Sequence, residues 1–285
     1  MILVDMNQVM LATLMVSLGN HKNAEVDVSM LRHMILNSIR MNYVKFKATY
    51  GEMIICTDGS NYWRRDYFPQ YKAGRRKAKA ESEMDWKTIF EAFDTIRAEI
   101  KEFMPYKILQ FNRAEADDII ATIVHEEGRL LNTGEPILIL SGDKDFIQLH
   151  SYSNVKQYDP TRKKYIQNSS PEQYLREHII KGDAGDGVPN ILSDDDTFVT
   201  GKRQAPITKK RLTKYLELEP SEMETSVERN YHRNKMMIDL SQVEESIKEK
   251  ILEGYREPNT KDRSKLINYF MKNKLKMLTE RLSDF

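Results

Sequence analysis

The chain of 285 residues has one cysteine, no long apolar run and a net charge of only +1. A lone thiol, Cys56, can form neither an internal disulfide nor a cysteine-based zinc site, which fits a reducing compartment. Its position inside the apolar run MIIC points to a buried structural residue rather than a nucleophile. The longest apolar candidate, VMLATLMVSL from Val9, falls short of the roughly 20 residues a membrane span needs. Asp5 ahead of it is wrong for the positively charged start of a signal peptide, so a cytoplasmic protein with no membrane partner is expected. Internal repeats and low-complexity segments are missing too.

What is present is 40% apolar and 31% charged residues, the balance of a globular chain long enough for one large domain or two modest ones. Near-zero net charge does not exclude a nucleic-acid enzyme, because an acidic metal site and basic binding surfaces cancel in the sum. The first part alternates short apolar runs with helical patterns, as a parallel sheet flanked by helices requires. MILV, EMIICT, YKILQF and PILILS read as strands, and a helix follows Val26 until Gly51 stops it. AKAESEMDWKTIFEAFDTIRAEIKEFM reads as one long helical stretch, and VKQYDPTRKKYI as a hairpin turning at Asp159 and Pro160. After about residue 170 the chain becomes helical, polar and Lys-rich, with LSDDDTFVTGKRQAP as a loop. An α/β domain over 1–180 and a smaller all-helical domain over 181–285 are expected.

Ligands of open parallel sheets bind beyond the carboxyl ends of the strands. Acids fall at that edge after three expected strands: Asp5, Asp58, and the pair Asp143 and Asp145 in SGDKDF. Glu115, Asp117 and Asp118 crowd the start of the helix after a fourth, and Asp183 and Asp186 lie three apart in GDAGDG. Any one of these is ordinarily a turn or cap residue. Their convergence on one rim is not ordinary, since so many carboxylates repel unless divalent ions sit among them. All-oxygen donors suit Mg²⁺, with Mn²⁺ as a substitute, and their number suits two ions, the apparatus for in-line displacement at phosphorus.

Directly after Asp58, the segment NYWRRDYFPQYKAGRRKAKA interleaves Arg64, Arg65, Lys72, Arg75, Arg76 and Lys77 with five aromatic residues. Basic groups bind phosphates and aromatic faces stack on bases. Trp63 and Phe68 are better read as core residues, whereas Lys72 and Arg75 share a helix face beside the carboxylates and could reach a scissile phosphate. A second basic group, Lys202, Arg203, Lys209, Lys210 and Arg211, follows the Gly-rich turn and is a candidate for nucleic-acid backbone contact. Two basic areas flanking an acidic cleft suggest a polymer rather than a nucleotide.

In this order LVDMNQV, CTDGSNYWRRDYFPQYKAGRR, AEADDIIA, SGDKDFIQL and KGDAGDGVPN resemble the 5′-nuclease family, which includes flap endonucleases. The resemblance spans nearly the whole chain. It implies a PIN-like nuclease domain, a helical arch built from about 59–100, and a helix-three-turn-helix element in the second domain. The implied activity is 5′→3′ exonuclease and flap endonuclease action, including ribonuclease H activity that removes RNA primers in phage DNA replication, which would put the protein in a host cytoplasm. Matched to the family's motifs, Asp5, Asp58, Asp117 and Asp143 serve one metal, with Glu115 and Asp118 close by. Asp145, Asp183 and Asp186 serve the second. Lys72 and Arg75 match the basic pair at the scissile phosphate and Tyr71 its aromatic neighbour. Implied partners are branched or nicked duplex DNA and RNA–DNA hybrid, bound by a monomer; a single-strand-binding protein and a sliding clamp are further candidates. Gly187 stands where the family often has Asn. Two other readings stay open: an aspartyl-nucleophile phosphatase, whose D-x-D-x-[TV] pattern DKDFI lacks, and a non-catalytic junction-binding replication protein.

Overall fold

The computed structural model describes residues 1–19, 26–128 and 134–285, the side chains of Arg76 and Lys77 excepted. The strands β1 (Ile2–Asp5), β2 (Met53–Cys56), β3 (Lys107–Leu109), β4 (Ile137–Leu140), β5 (Val155–Asp159) and β6 (Lys164–Ile166) form one sheet in the order β3-β2-β1-β4-β5-β6. All neighbours are parallel except β5 and β6, the expected hairpin. Around it lie α1 (Met6–Leu18), α2 (Val28–Tyr50), α3 (Arg64–Tyr67), α4 (Ala73–Ala80), α5 (Trp86–Phe103), α6 (Ala116–Gly128) and α7 (Pro171–Lys181). Then come α8 (Lys209–Glu217), α9 (Thr225–Ile238), α10 (Glu245–Arg256), α11 (Leu266–Lys272) and α12 (Lys276–Thr279). No described helix is long and apolar enough to cross a membrane.

The central strands are apolar without interruption because both faces of the sheet are covered. Side chains alternate between the two cores: Ile2, Val4, Met53, Ile55, Leu138 and Leu140 pack with α1, α2 and α5. Leu3, Ile54, Cys56, Ile137 and Ile139 pack with α6 and α10. Cys56 is fully buried, and burial pushes its thiol well above the ordinary value, so it carries no nucleophile. Strand order reverses at β1, which pairs with β2 on one side and β4 on the other, and this opens a crevice at their carboxyl ends.

Two expectations need correction. The stretch from Ala78 to Met104 is not one helix: α4 stops at Ala80 and α5 begins after Asp85, whose carboxylate caps it by accepting from the N–H of Thr88 at 3.1 Å and its hydroxyl at 2.7 Å. Within 59–100, α5 is a core helix burying Ile89, Phe93 and Ile96, so the exposed part of the expected arch narrows to α4 and the turn to Asp85.

The helices that follow residue 180 share their core with the sheet. Ile247 and Ile251 of α10 join the cluster beneath α6, while Leu266, Tyr269, Phe270 and Phe285 join the cluster of α1, α2 and α5. A third cluster ties Phe68 and Tyr71 to α7, α8 and α9. Phe270→Ala should therefore cost about 3–5 kcal/mol of global stability in urea unfolding. An unchanged midpoint would show that the last helices are an appendage.

Candidate active site

Asp5 ends β1 and caps α1, accepting from the N–H of Gln8 at 3.1 Å and from the hydroxyl of Ser141 at 2.9 Å. Despite those bonds, burial, joined by the charges of Asp58 and Asp143, pushes its pKa up to about 7. Asp58 lies just beyond β2 and accepts from the N–H of Ala116 at 2.8 Å, which ties it to the start of α6. Burial and the charge of Glu115 push it up as well. Asp117, in the first turn of α6, is driven well above the carboxylate range by burial and by Asp143 and Asp5. Asp143 stands exposed at the mouth of the crevice, its carboxylate accepting from the N–H of Asp145 at 2.9 Å. The structure thus brings Asp5, Asp58, Asp117 and Asp143 into one electrostatic group from four separate elements.

Glu115 and Asp118 differ from these. Glu115 is 2% exposed and accepts from the Tyr71 hydroxyl at 2.9 Å and from Arg64 at 3.0 Å, and it pairs with Lys72. Burial opposes its charge, but Lys72 and Arg64 prevail and hold it below the ordinary range. Asp118 is fully buried and accepts from the indole N–H of Trp63 at 3.1 Å and the N–H of Glu115 at 3.0 Å, with the Arg64 guanidinium 2.8 Å away. It is a structural carboxylate rather than a metal neighbour. Arg64 is likewise no phosphate ligand: it is 2% exposed, held between Glu115 and Asp118, and donates to the carbonyl of Met237 at 2.9 Å. Trp63 and Phe68 are core, as read from the sequence.

The basic pair lies across the crevice. Tyr71 is buried, and its hydroxyl donates to Glu115 and, at 3.1 Å, to Asp186. Lys72 reaches both acids, 3.6 Å from Asp186, and Arg75 pairs with Asp186 while remaining half exposed. Burial keeps Asp186 above the ordinary range even so. Lys72 has a left-handed backbone, φ +58°, and its N–H donates to the carbonyl of Asp186 at 2.7 Å. Opposite it, Gly187 has φ +75°, and a Cβ there would meet the carbonyl of Gln70 at 3.2 Å. Glycine and, at some cost, asparagine tolerate that backbone.

The second acidic group sits where the 3₁₀ turn after Asp143 meets the end of α7. Burial and Asp143 push Asp145 up to about 7. Asp183 accepts from the N–H groups of Gly185 at 2.7 Å and Asp186 at 3.2 Å. Against burial, the nearby His178 and these N–H groups keep it low. His178 was not singled out by the sequence; its signal was a lone His in the last turn of the helix that leads into GDAGDG. Also unforeseen is Gln157 on β5, fully buried, which donates to the carbonyls of Ser141 and Asp143 at 2.9 and 2.5 Å and so fixes the loop carrying Asp143.

The remaining basic candidates are dispersed. Arg65 is half buried, its guanidinium 5.0 Å from the ring of Tyr62. The side chains of Arg76 and Lys77 lie outside the described residues. Lys202, Arg203, Lys209, Lys210 and Arg211 are exposed, with Lys202 paired to Asp196 at 3.1 Å and Arg211 donating to the carbonyl of Pro206 at 3.0 Å.

A carboxyl whose folded pKa is raised favours the fold at acid pH, and that advantage is lost as pH climbs from its ordinary value through the folded one. For Asp5, moving from 3.8 to about 7 penalises the ion-free fold by on the order of 4 kcal/mol at neutral pH. Ion-free protein should accordingly lose stability between pH 4 and 7.5, and Mg²⁺ should raise Tm far more at pH 8 than at pH 5. Equal rises at both would mean that cations do not neutralise this group.

Residues 1–179 match the family described as 5′-3′ exonuclease, N-terminal resolvase-like domain, and residues 169–285 match the family described as T4 RNase H, C terminal. Ribonuclease H of Enterobacteria phage T4 is 35% identical over 99% of this chain and 95% of its own. Flap endonuclease Xni of Shewanella pealeana is 25% identical over 59% of this chain and 63% of its own. Among solved structures, a T5 5′-exonuclease with bound zinc superimposes with a TM-score of 0.60 at 17% identity, over 89% of this chain and 97% of its own. A bacteriophage T5 D15 flap endonuclease complex with DNA and metal ions gives 0.61 at 18% identity, over 90% and 99%. These two share the fold. The phosphatase and non-catalytic readings fall away, because the chain belongs to the 5′-3′ exonuclease family with a C-terminal part of the T4 RNase H kind, and it is a nuclease.

Proposed function

We propose that this nuclease is a divalent-cation-dependent 5′→3′ exonuclease and flap endonuclease that acts on branched or nicked duplex DNA and RNA–DNA hybrid. Its task would be to remove RNA primers during phage replication in the host cytoplasm, as a monomer with a single-strand-binding protein or sliding clamp as companions. The observation that carries the reading is the group Asp5, Asp58, Asp117 and Asp143, three of whose members burial has made reluctant to ionise. Their all-oxygen donor set fits Mg²⁺, with Mn²⁺ as substitute, and Asp145, Asp183 and Asp186 would hold a second ion. Cations bound there supply activation of the attacking water and neutralisation of the leaving oxygen.

The chain's own cations do the positioning. Lys72 and Arg75 are held by Glu115 and Asp186, and a scissile phosphate entering between them would exchange one anion for another without unpairing either. Tyr71 holds both acids in place by one hydroxyl. Lys209, Lys210 and Arg211 occupy the first turn of α8, where the helix dipole disfavours cations, a placement that backbone phosphates would repay. Lys72→Ala should slow single-turnover flap cleavage about 10²- to 10³-fold with DNA affinity nearly unchanged. An unaltered rate would remove Lys72 from the chemistry.

The reading is tested by incubating purified protein with 5′-flap and RNA-primed duplexes in Mg²⁺ and in EDTA. Cleavage near the junction only with Mg²⁺ supports it, and cleavage that survives EDTA overturns it.

A further inference from the structure

The two acidic groups differ in one respect with chemical consequences. No histidine is among the groups whose charges act on Asp5, Asp58 or Asp117, but the ring of His178 stands between Asp145 and Asp183. Nδ1 is 3.4 Å from a carboxylate oxygen of Asp145 and Nε2 is 3.7 Å from one of Asp183. Both exceed the usual reach of a direct N–H···O bond. One donor atom from each of the three residues falls within 4.8 Å of the others, so a small movement of the side chains would let all three reach one cation.

The surroundings hold this triad in place. Asp145 is carried by the 3₁₀ turn Lys144–Ser151, against which α7 packs. The ring of Tyr174, one turn earlier on α7, meets that of His178 edge on, with centroids 6.0 Å apart. Gly182 ends the helix with φ +68°, and a Cβ there would strike the carbonyl of Val188 at 2.4 Å. The N–H and carbonyl of Asp183 are both tied to Val188. The turn from His178 to Asp183 is therefore fixed by backbone.

We propose that His178 is a direct nitrogen ligand of the second divalent cation, beside Asp145 and Asp183, and that this site prefers first-row transition metals such as Mn²⁺ over Mg²⁺. The proposal rests on the metal-dependent reading above. Imidazole is a poor donor for Mg²⁺ and a good one for transition metals, whereas carboxylates serve both. The two sites of one nuclease would then have unlike metal preferences.

Mn²⁺ added alone to the full-length, ion-free protein tests this by electron spin echo spectroscopy with parallel titration of free Mn²⁺. The expected result is binding of two ions with coupling to a directly bound ¹⁴N. In His178→Gln the coupling should vanish, one class of Mn²⁺ should lose affinity about tenfold or more, and excess Mg²⁺ should displace it more readily. Unchanged affinity of the other class and an unchanged circular dichroism spectrum would show that the variant is folded. Two bound ions without nitrogen coupling in the parent would overturn the ligand role and leave the nuclease reading standing. Coupling that persists in His178→Gln would also overturn it. No Mn²⁺ binding at all would overturn both.

Discussion

Asp143→Asn should abolish cleavage and at the same time stabilise the ion-free protein. Loss of one anionic donor from a cation site removes several kcal/mol of transition-state stabilisation; about 4 kcal/mol corresponds to a fall of roughly 10³-fold in single-turnover rate. DNA binding should persist, because the exposed cations on α8 are untouched. The stability effect has the opposite sign. The charge of Asp143 is one of the forces raising Asp5, Asp117 and Asp145, so making it neutral lets those groups ionise at less cost. Asparagine keeps an oxygen that can accept from the N–H of Asp145. In EDTA at pH 8, Tm should rise by a few degrees, taking about 2–4 °C per kcal/mol for a chain of this size. A variant that loses Tm under these conditions, or that still cuts efficiently, contradicts the electrostatic picture.

Arg64→Met should destabilise the fold as severely as the loss of a large core side chain. The substitution leaves Glu115 and Asp118 buried without their common counter-ion, and the carbonyl of Met237 without its donor. Removing one partner of a buried ion pair costs about 3–5 kcal/mol. Tm should fall by on the order of 10 °C, whatever the salt concentration, since a pair this buried is barely screened. If instead Tm holds and only DNA affinity weakens with a shallower salt dependence, Arg64 is the phosphate ligand that its sequence neighbourhood suggests.

That residue shows where the sequence misleads. Arg64 and Arg65 are adjacent, equally basic and flanked by the same aromatics, yet one is sealed in the interior. The difference is made by Asp118 and by a carbonyl at position 237, and a local reading of charge does not register partners so far along the chain. The carboxylates were legible for the converse reason. Apolar runs such as ILVD and ILIL must be strands covered on both faces, and once they are parallel, whatever follows each run shares one rim. His178 belongs to neither pattern, since its meaning comes from the packing of α7 on the turn holding Asp145. The break between α4 and α5 depends on one cap at Asp85, which the uniform helical propensity of the stretch conceals. The C-terminal helices read as polar because only a narrow stripe of each, such as Leu266, Tyr269 and Phe270, enters the core.

The link between the N–H of Lys72 and the carbonyl of Asp186 joins main chain to main chain. Mutation can change either side chain and leave that tie in place. In the proposed mechanism the tie keeps the backbone that carries Lys72 beside the turn that carries Asp186, so a substitution at either position removes a charge without releasing the local path of the chain.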